Sequence, residues 1–231
     1  MKKHFFVTAT DTDAGKTYFS CVLLKALTQQ NYNVAVYKPV SAGCDEVIIN
    51  NKVELINEDA LLLQQQANCQ QTLKEINPIA YKEPIAPHIA AKKLQQVMQL
   101  TNIVENYQQV CQRPSDVVLC EGAGGWRLPL GNGKFLSDFV KSTQQQVILV
   151  INIKLGCLNH ALLTYESIIN DGLVCVAWVA NYPTANQKSV QYIEENIIEL
   201  CELLPIPLLA KLPYQPNFSI AAKQVRLDIL F

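Results

Sequence analysis

Short apolar runs recur along the chain and alternate with stretches that are amphipathic at helical spacing. The runs predict strands at His4–Thr8, Val34–Lys38, Asp116–Cys120, Val147–Asn152, Val174–Ala180 and Pro207–Leu209. Most are continuously apolar rather than alternating, the pattern of parallel strands covered on both faces. Helices are predicted between them, near residues 17–30, 58–67, 88–98, 101–112, 159–170 and 186–203. In the first, Phe19, Val22, Leu23, Ala26 and Leu27 fall on one side, as a helix lying on a sheet requires. This alternation predicts a doubly wound α/β fold, a mostly parallel sheet with helices on both faces and right-handed crossovers. Residues 43–57 are polar and irregular and read as a surface loop. Pro78, Pro84 and Pro87 break the helical pattern and force extended backbone across 78–87. With no repeat and no linker, 1–231 reads as one domain.

Composition narrows the picture. Apolar residues make up 49% of the chain, enough for a sizeable core. The net charge of −1 gives no electrostatic case for nucleic acid or an anionic membrane as a partner. Gln clusters such as Gln64–Gln66 and Gln144–Gln146 are short and scattered, a compositional bias only. The eight cysteines form no Cys-x-x-Cys pair and have no suitably spaced His, which argues against zinc. Cys120, Cys175 and Cys201 lie in predicted strands or helices, where a free thiol acts as a small hydrophobe. That usage fits a reducing compartment. The apolar run behind Met1–Lys3 is too short for a signal peptide, and nothing reaches transmembrane length. The expectation is a soluble cytoplasmic protein.

Ligands of such sheets collect beyond the carboxyl ends of the strands, so the chemistry is sought there. After the first strand come Thr8-Ala-Thr-Asp-Thr-Asp-Ala-Gly-Lys-Thr17. The segment reads as a phosphate-binding loop whose N–H groups wrap a polyphosphate at a helix N-terminus. Lys16 would reach the β- and γ-phosphates of ATP or GTP, and the Thr17 hydroxyl would bind Mg²⁺. The usual first glycine of the motif is missing: Thr10 holds its place, and Ala9 stands one residue earlier. The intact Gly15-Lys16-Thr17 core and its strand–loop–helix context carry the reading. Lys38, at the end of the second strand, faces either an anionic ligand or solvent. Glu121, before Gly122-Ala-Gly-Gly125, is a second metal position or the solvated head of a glycine turn. Asp59 is a first-turn acid favoured by the helix dipole, or a further Mg²⁺ ligand. Gly156 and Asn159 open a helix whose free N–H groups could hold a carboxylate or be capped locally. Asn181 could read a base edge or only make a turn. His88 reads as a capping or packing residue, and Trp126 as a cover over the glycine turn.

Seven segments, in order across nearly the whole chain, now combine. They are Thr10–Thr17, Tyr37–Val40, Asn57–Ala60, Glu83–His88, Glu121–Trp126, Lys154–Ala161 and Trp178–Asn181. Together they resemble the dethiobiotin synthetases of the biotin pathway. The resemblance implies a Mg²⁺- and ATP-dependent cyclo-ligase that closes 7,8-diaminononanoate with CO₂ to dethiobiotin. The route runs through a carbamate and a carbamic–phosphoric anhydride, releasing ADP and phosphate. Carried over by position, Lys16, Lys38 and Thr12 are catalytic, and Thr17, Asp59 and Glu121 hold the metal. ATP would lie against Asp13, Ala14, Gly15, Lys16, Thr17 and Tyr18, and against Glu121, Gly122, Ala123 and Gly124. Asn181 would read the adenine, flanked by Pro213 and Tyr214. The substrate would meet Lys38, Ser41 and Ala42, its carboxylate tail held by Gly156, Cys157, Leu158 and Asn159 across a homodimer interface. Two departures stand out: Ala9 where the family commonly has Gly, and Ala42 where it commonly has Ser or Thr. Neither touches the metal or phosphate charges, so activity is expected to survive both.

Three other readings fit less well. A partition or septum-positioning ATPase would carry a further Lys near the start of the loop, and none lies between His4 and Gly15. An amidotransferase-type synthetase would need a glutaminase part, for which 231 residues leave little room. A nucleotide-binding paralogue without catalysis is opposed by the intact Lys16, Thr17, Lys38, Asp59 and Glu121.

Overall fold

The computed structural model describes residues 2–49, 51–182 and 192–231. The first third of the chain forms β1 (Lys3–Ala9), α1 (Lys16–Gln29), β2 (Val34–Tyr37), β3 (Val40–Ser41), β4 (Asp45–Ile49), β5 (Lys52–Ile56), α2 (Glu58–Gln66), α3 (Leu73–Ile76) and β6 (Ile79–Ala80). Next come α4 (Pro87–Lys93), α5 (Leu100–Cys111), β7 (Val117–Glu121), β8 (Pro129–Gly131), β9 (Lys134–Phe135), α6 (Leu136–Thr143) and β10 (Gln146–Asn152). The last third forms α7 (Cys157–Asn170), β11 (Cys175–Tyr182), α8 (Ile193–Leu203), β12 (Leu208–Pro213) and α9 (Phe218–Ala221).

Six strands pair in the order β12-β11-β10-β1-β7-β2, and every neighbouring pair is parallel. The chain therefore starts in the middle of the sheet, winds to one edge at β2, and returns past β1 to the other. Two apolar layers cover the sheet. Phe5, Val7 and Ala9 of β1 face one, which contains Phe19, Leu23 and Leu27 of α1 with Leu63 of α2. Phe6 faces the other, built on Ile103, Tyr107, Phe139, Ala161 and Leu200 from α5 to α8. Strands buried on both sides have no polar face to display, which is why they read as unbroken apolar runs.

All six predicted sheet strands form. β7 runs one residue further and takes in Glu121, β12 extends to Pro213, and β2 stops at Tyr37, leaving Lys38 in the turn beyond. The predicted helix at 88–98 ends at Lys93, and the one at 159 starts earlier, at Cys157. Of the helix predicted at 186–203, the stretch before 192 lies outside the described residues. The reading of 43–57 as an irregular loop is corrected: β4 and β5 form an antiparallel hairpin from Asp45↔Ile56 to Ile49↔Lys52. Its strands are mostly exposed, so no buried face imposed a clean alternation. A second hairpin, β8–β9, was not among the predicted elements; it turns on Asn132-Gly133, both at positive φ, the dipeptide of a two-residue reverse turn. Burial pushes the Cys21 and Cys175 thiols up to about 12, and the cysteines are all free. No helix among the described residues is long and apolar enough to cross a membrane.

Candidate active site

The loop between β1 and α1 lies at the carboxyl edge of the sheet, where β1 is flanked by β7 and β10. That is the switch point at which such sheets bind ligands. Two loop residues take left-handed backbone, Asp13 at φ 56° and Gly15 at φ 91°. Ala9 does not, so its methyl group costs no strain there. A Cβ on Gly15 would stand 2.0 Å from Asn181 Nδ2, so glycine is required by space as well as by φ. Asn181, fully buried at the end of β11, donates from Nδ2 to the Ala14 carbonyl (2.8 Å). Its Oδ1 has no partner among the described residues. Lys16 curls back over the loop, Nζ donating to the Asp11 carbonyl at 3.3 Å. Burial holds its pKa below the usual lysine value, with Lys38 adding to the effect against Glu121, Asp59 and Asp13. A polyphosphate would supply the countercharge that Lys16 lacks.

Beside Lys16, four residues from four elements meet. β2 delivers Lys38 and β7 delivers Glu121; the pairing of Tyr37 with Cys120 sets the two side by side. Thr17 comes from the first turn of α1 and Asp59 from the first turn of α2. α2 is fixed by its N-cap, Asn57, whose side chain accepts from the Ala60 N–H. Lys38 Nζ lies 2.5 Å from Glu121 Oε1 and 3.0 Å from Asp59 Oδ2. Thr17 donates to the same Glu121 oxygen at 2.9 Å. Lys38 and Glu121 are 3% and 1% exposed, so the pair is out of water. Burial opposes the Lys38 charge, but Glu121 and Asp59 outweigh it and raise its pKa. Lys38 likewise overcomes the desolvation of Asp59 and lowers that carboxyl. Glu121 Oε2 is buried without a partner among the described residues. An orphaned carboxylate oxygen beside a threonine hydroxyl and a second carboxylate is a hard-oxygen donor set, which suits Mg²⁺.

Lys16, Thr17, Lys38 and Asp59 open on a cleft of about 780 Å³ lined also by Thr12, Asp13, Tyr18, Ser41, Ala42, Ala123 and Gly124, while Glu121 is not in its lining. Ser41 is buried, and its hydroxyl is donated to Asn77 Oδ1 at 2.7 Å, so it is already engaged beside the methyl of Ala42. Tyr18 hydrogen-bonds the carbonyls of Pro213 (3.4 Å) and Gln215 (3.0 Å) and lies 6.3 Å from the Tyr214 ring. Gly156, Cys157, Leu158 and Asn159 are not in the cleft lining. Gly156 is a left-handed N-cap for α7 with no side-chain cap. Leu155 beside it is 93% exposed. His88 does not cap α4: Ala86 is its N-cap, and His88 Nδ1 is buried without a partner. The expectation of Trp126 as a cover is also corrected, because the indole is buried edge-on to Phe6 in the core. Two residues escaped the sequence reading. Lys154 approaches Asp11 at 3.4 Å, and Asn77 reaches the Lys38 carbonyl.

Asp171, at the end of α7, anchors the chain beyond the glycine turn. It accepts from Trp126 Nε1 (2.9 Å) and pairs with Arg127 (2.7 Å) and Lys141 (3.4 Å). Burial raises its pKa, but Arg127, Trp126 and Lys141 outweigh this and hold it below the usual range. A depressed carboxyl contributes stability above its unfolded pKa and loses it as pH falls through the folded value. Asp171→Asn is therefore expected to lower stability at neutral pH and to narrow its gap from the parent between pH 5 and 2. Denaturation midpoints across that range check it; a constant gap would contradict the assignment.

A phosphate loop at the first strand of a parallel, doubly wound sheet defines a P-loop nucleotide-binding protein. Solved structures agree on the fold. The septum site-determining protein MinD of Pyrococcus horikoshii, complexed with Mg-ADP, superposes with a TM-score of 0.54 at 16% identity, covering 94% of this chain and 83% of that one. The MinC:MinD complex of Aquifex aeolicus gives 0.56 at 11%, covering 99% and 89%. A family model described as an AAA domain matches residues 3–221. The ATP-dependent dethiobiotin synthetase BioD of Alteromonas mediterranea is 48% identical over 227 residues, 94% of each chain. That of Aeromonas salmonicida is 42% identical, covering 99% of this chain and 98% of the other. The chain belongs to the ATP-dependent dethiobiotin synthetase family, a family of ligases of biotin synthesis.

Proposed function

We propose that the protein closes 7,8-diaminononanoate with CO₂ into dethiobiotin at the expense of ATP, through a carbamate and a carbamic–phosphoric anhydride. The observation that carries the reading is the Lys38 ammonium, buried between Glu121 and Asp59 and facing the phosphate loop. One amine of the substrate takes up CO₂ and releases a proton. A carbamate oxygen then attacks the γ-phosphorus, and ADP leaves. The second amine attacks the carbamate carbon, and phosphate departs with the bridging oxygen and takes up the proton that this amine loses.

No protein nucleophile is needed. The chain's part is alignment and charge neutralisation. Lys16 holds the β- and γ-phosphates, with Thr12 and Asp13 along the loop. Lys38 faces the carbamate and the phosphoryl in transit, balancing negative charge as the two anions are brought together. Thr17, Glu121 and Asp59 would hold Mg²⁺, which when bound screens the phosphate charge. Gly15, Tyr18, Ala123 and Gly124 of the cleft lining would border the nucleotide, with Ala14 and Gly122 next to them in the chain. Asn181 Oδ1, the unpartnered acceptor, suits an adenine amine, with Pro213 and Tyr214 beside it. The uncapped N-terminus of α7, Gly156 to Asn159, would take the substrate carboxylate bound mainly by a second subunit, so the working unit is a homodimer, in the cytoplasm.

The test is phosphate release with Mg-ATP and bicarbonate, with and without the diamine, with the product identified by mass. Diamine-dependent release with formation of the ring supports the reading. Hydrolysis indifferent to the diamine, with no ring product, would overturn it.

A further inference from the structure

β2 is an edge strand, and its outward backbone groups would be open to water or to another chain. Instead, residues 68–77 bond to it at alternate positions. The Val34 N–H donates to Asn68 Oδ1 (2.8 Å), and the Val34 carbonyl accepts from the Cys69 N–H (3.3 Å). The Val36 N–H donates to Gln71 Oε1 (2.8 Å), and its carbonyl accepts from Gln71 Nε2 (2.9 Å). The Lys38 N–H donates to the Ile76 carbonyl (2.8 Å), and its own carbonyl accepts from Asn77 Nδ2 (2.7 Å). A ladder made largely of side-chain amides thus completes the sheet edge and ends on the residue that faces the cleft. Asn77 does more than close that edge. Its Oδ1 accepts from Ser41 Oγ at 2.7 Å, so one buried side chain grips both ends of the Lys38–Ser41 turn. The segment bearing it is itself tethered. Thr72 and Glu75 form a capping box on α3, and Arg113 pairs with Glu75 and donates to the Gln70 carbonyl.

We infer that Asn77 is a positioning residue for Lys38, setting the backbone from which the ammonium is held over the two carboxylates. The inference rests on the role of Lys38 proposed above. A lysine side chain has four rotatable carbons, so its head is placed only as well as its backbone is. Asn77 bonds the Lys38 carbonyl and the Ser41 hydroxyl rather than the phosphate loop, so its effect is expected on the chemical step rather than on ATP binding.

The test compares Asn77→Ala, Asn77→Asp, Asn68→Ala and Lys38→Met in the full chain. Asn77→Asp keeps an acceptor for Ser41 but has no donor for the Lys38 carbonyl. Both Asn77 variants are expected to lower kcat by roughly 10²-fold, the cost of a small misplacement, with KM for ATP unchanged. Asn68→Ala removes the acceptor of the Val34 N–H, four residues before Lys38, and the donor to the Tyr32 carbonyl, and is expected to lower the denaturation midpoint with kcat unchanged. If kcat in Asn77→Ala falls no more than in Asn68→Ala, or if both Asn77 variants fail to fold while Asn68→Ala folds, Asn77 is structural only and the inference is overturned. Ring closure surviving in Lys38→Met would instead sink the reading of Lys38 itself, and the two failures are told apart by that variant.

Discussion

Lys38→Met is expected to lower kcat for ring closure by about 10²–10³-fold, the loss typical when one preorganised donor to developing charge is removed. ATP affinity should change little, because Lys16 and the phosphate loop are untouched. The same substitution should also cost stability. Glu121 is 1% exposed and loses its 2.5 Å partner. Breaking a buried pair from one side costs roughly 3–5 kcal/mol, because a charge is left without compensation. The prediction thus has two readouts, single-turnover kinetics and a urea midpoint, and they should move together. A variant of normal stability would mean that Thr17 and solvent already satisfy Glu121. A kcat within a few-fold of the parent would mean that Lys38 is a structural counterion.

Gly15→Ala should be the most damaging single methyl group in the loop. Its φ of 91° is left-handed, which costs an L-residue roughly 1–2 kcal/mol. The new Cβ would also fall 2.0 Å from Asn181 Nδ2. Either the loop opens or Asn181 releases the Ala14 carbonyl, leaving two buried polar groups unpaired at a cost of about 1–3 kcal/mol. Nucleotide affinity is expected to fall by about 10²-fold, the equivalent of some 2.7 kcal/mol, as read by calorimetry. Adding Asn181→Ala should recover the steric part of the loss but not the backbone part. Full recovery would contradict the conformational argument, and no loss in Gly15→Ala would contradict both.

How far the sequence revealed this arrangement depended on burial. The six sheet strands were legible because burial on both faces leaves an unbroken apolar signature, as in Val147–Asn152. Lys16, Thr17, Lys38, Asp59 and Glu121 were legible as candidates because strand ends and helix starts mark the ligand edge of a parallel sheet, but only the family resemblance gave Lys38, Asp59 and Glu121 a role. Their mutual contacts were not: Lys38 and Glu121 are 83 residues apart, and only the β2–β7 register brings them together. The β4–β5 hairpin was lost because Ile48 and Val53 are 75% and 65% exposed, so no core face patterned it. The amides of Asn68, Gln71 and Asn77 went unread, since an edge built from side chains has no period. Asn77 had one local mark, the following Pro78, which signals a turn but not a grip on Lys38.

The most direct measurement is the path of oxygen. In a single turnover started with freshly dissolved C¹⁸O₂ in ordinary water, faster than exchange with solvent, the carbamate route sends one labelled oxygen into phosphate and leaves the other in the ring carbonyl. Label in both products, dependent on the diamine, is the predicted result. Unlabelled phosphate formed together with a labelled ring would mean that the carbamate oxygen never meets the γ-phosphorus, and would contradict the account.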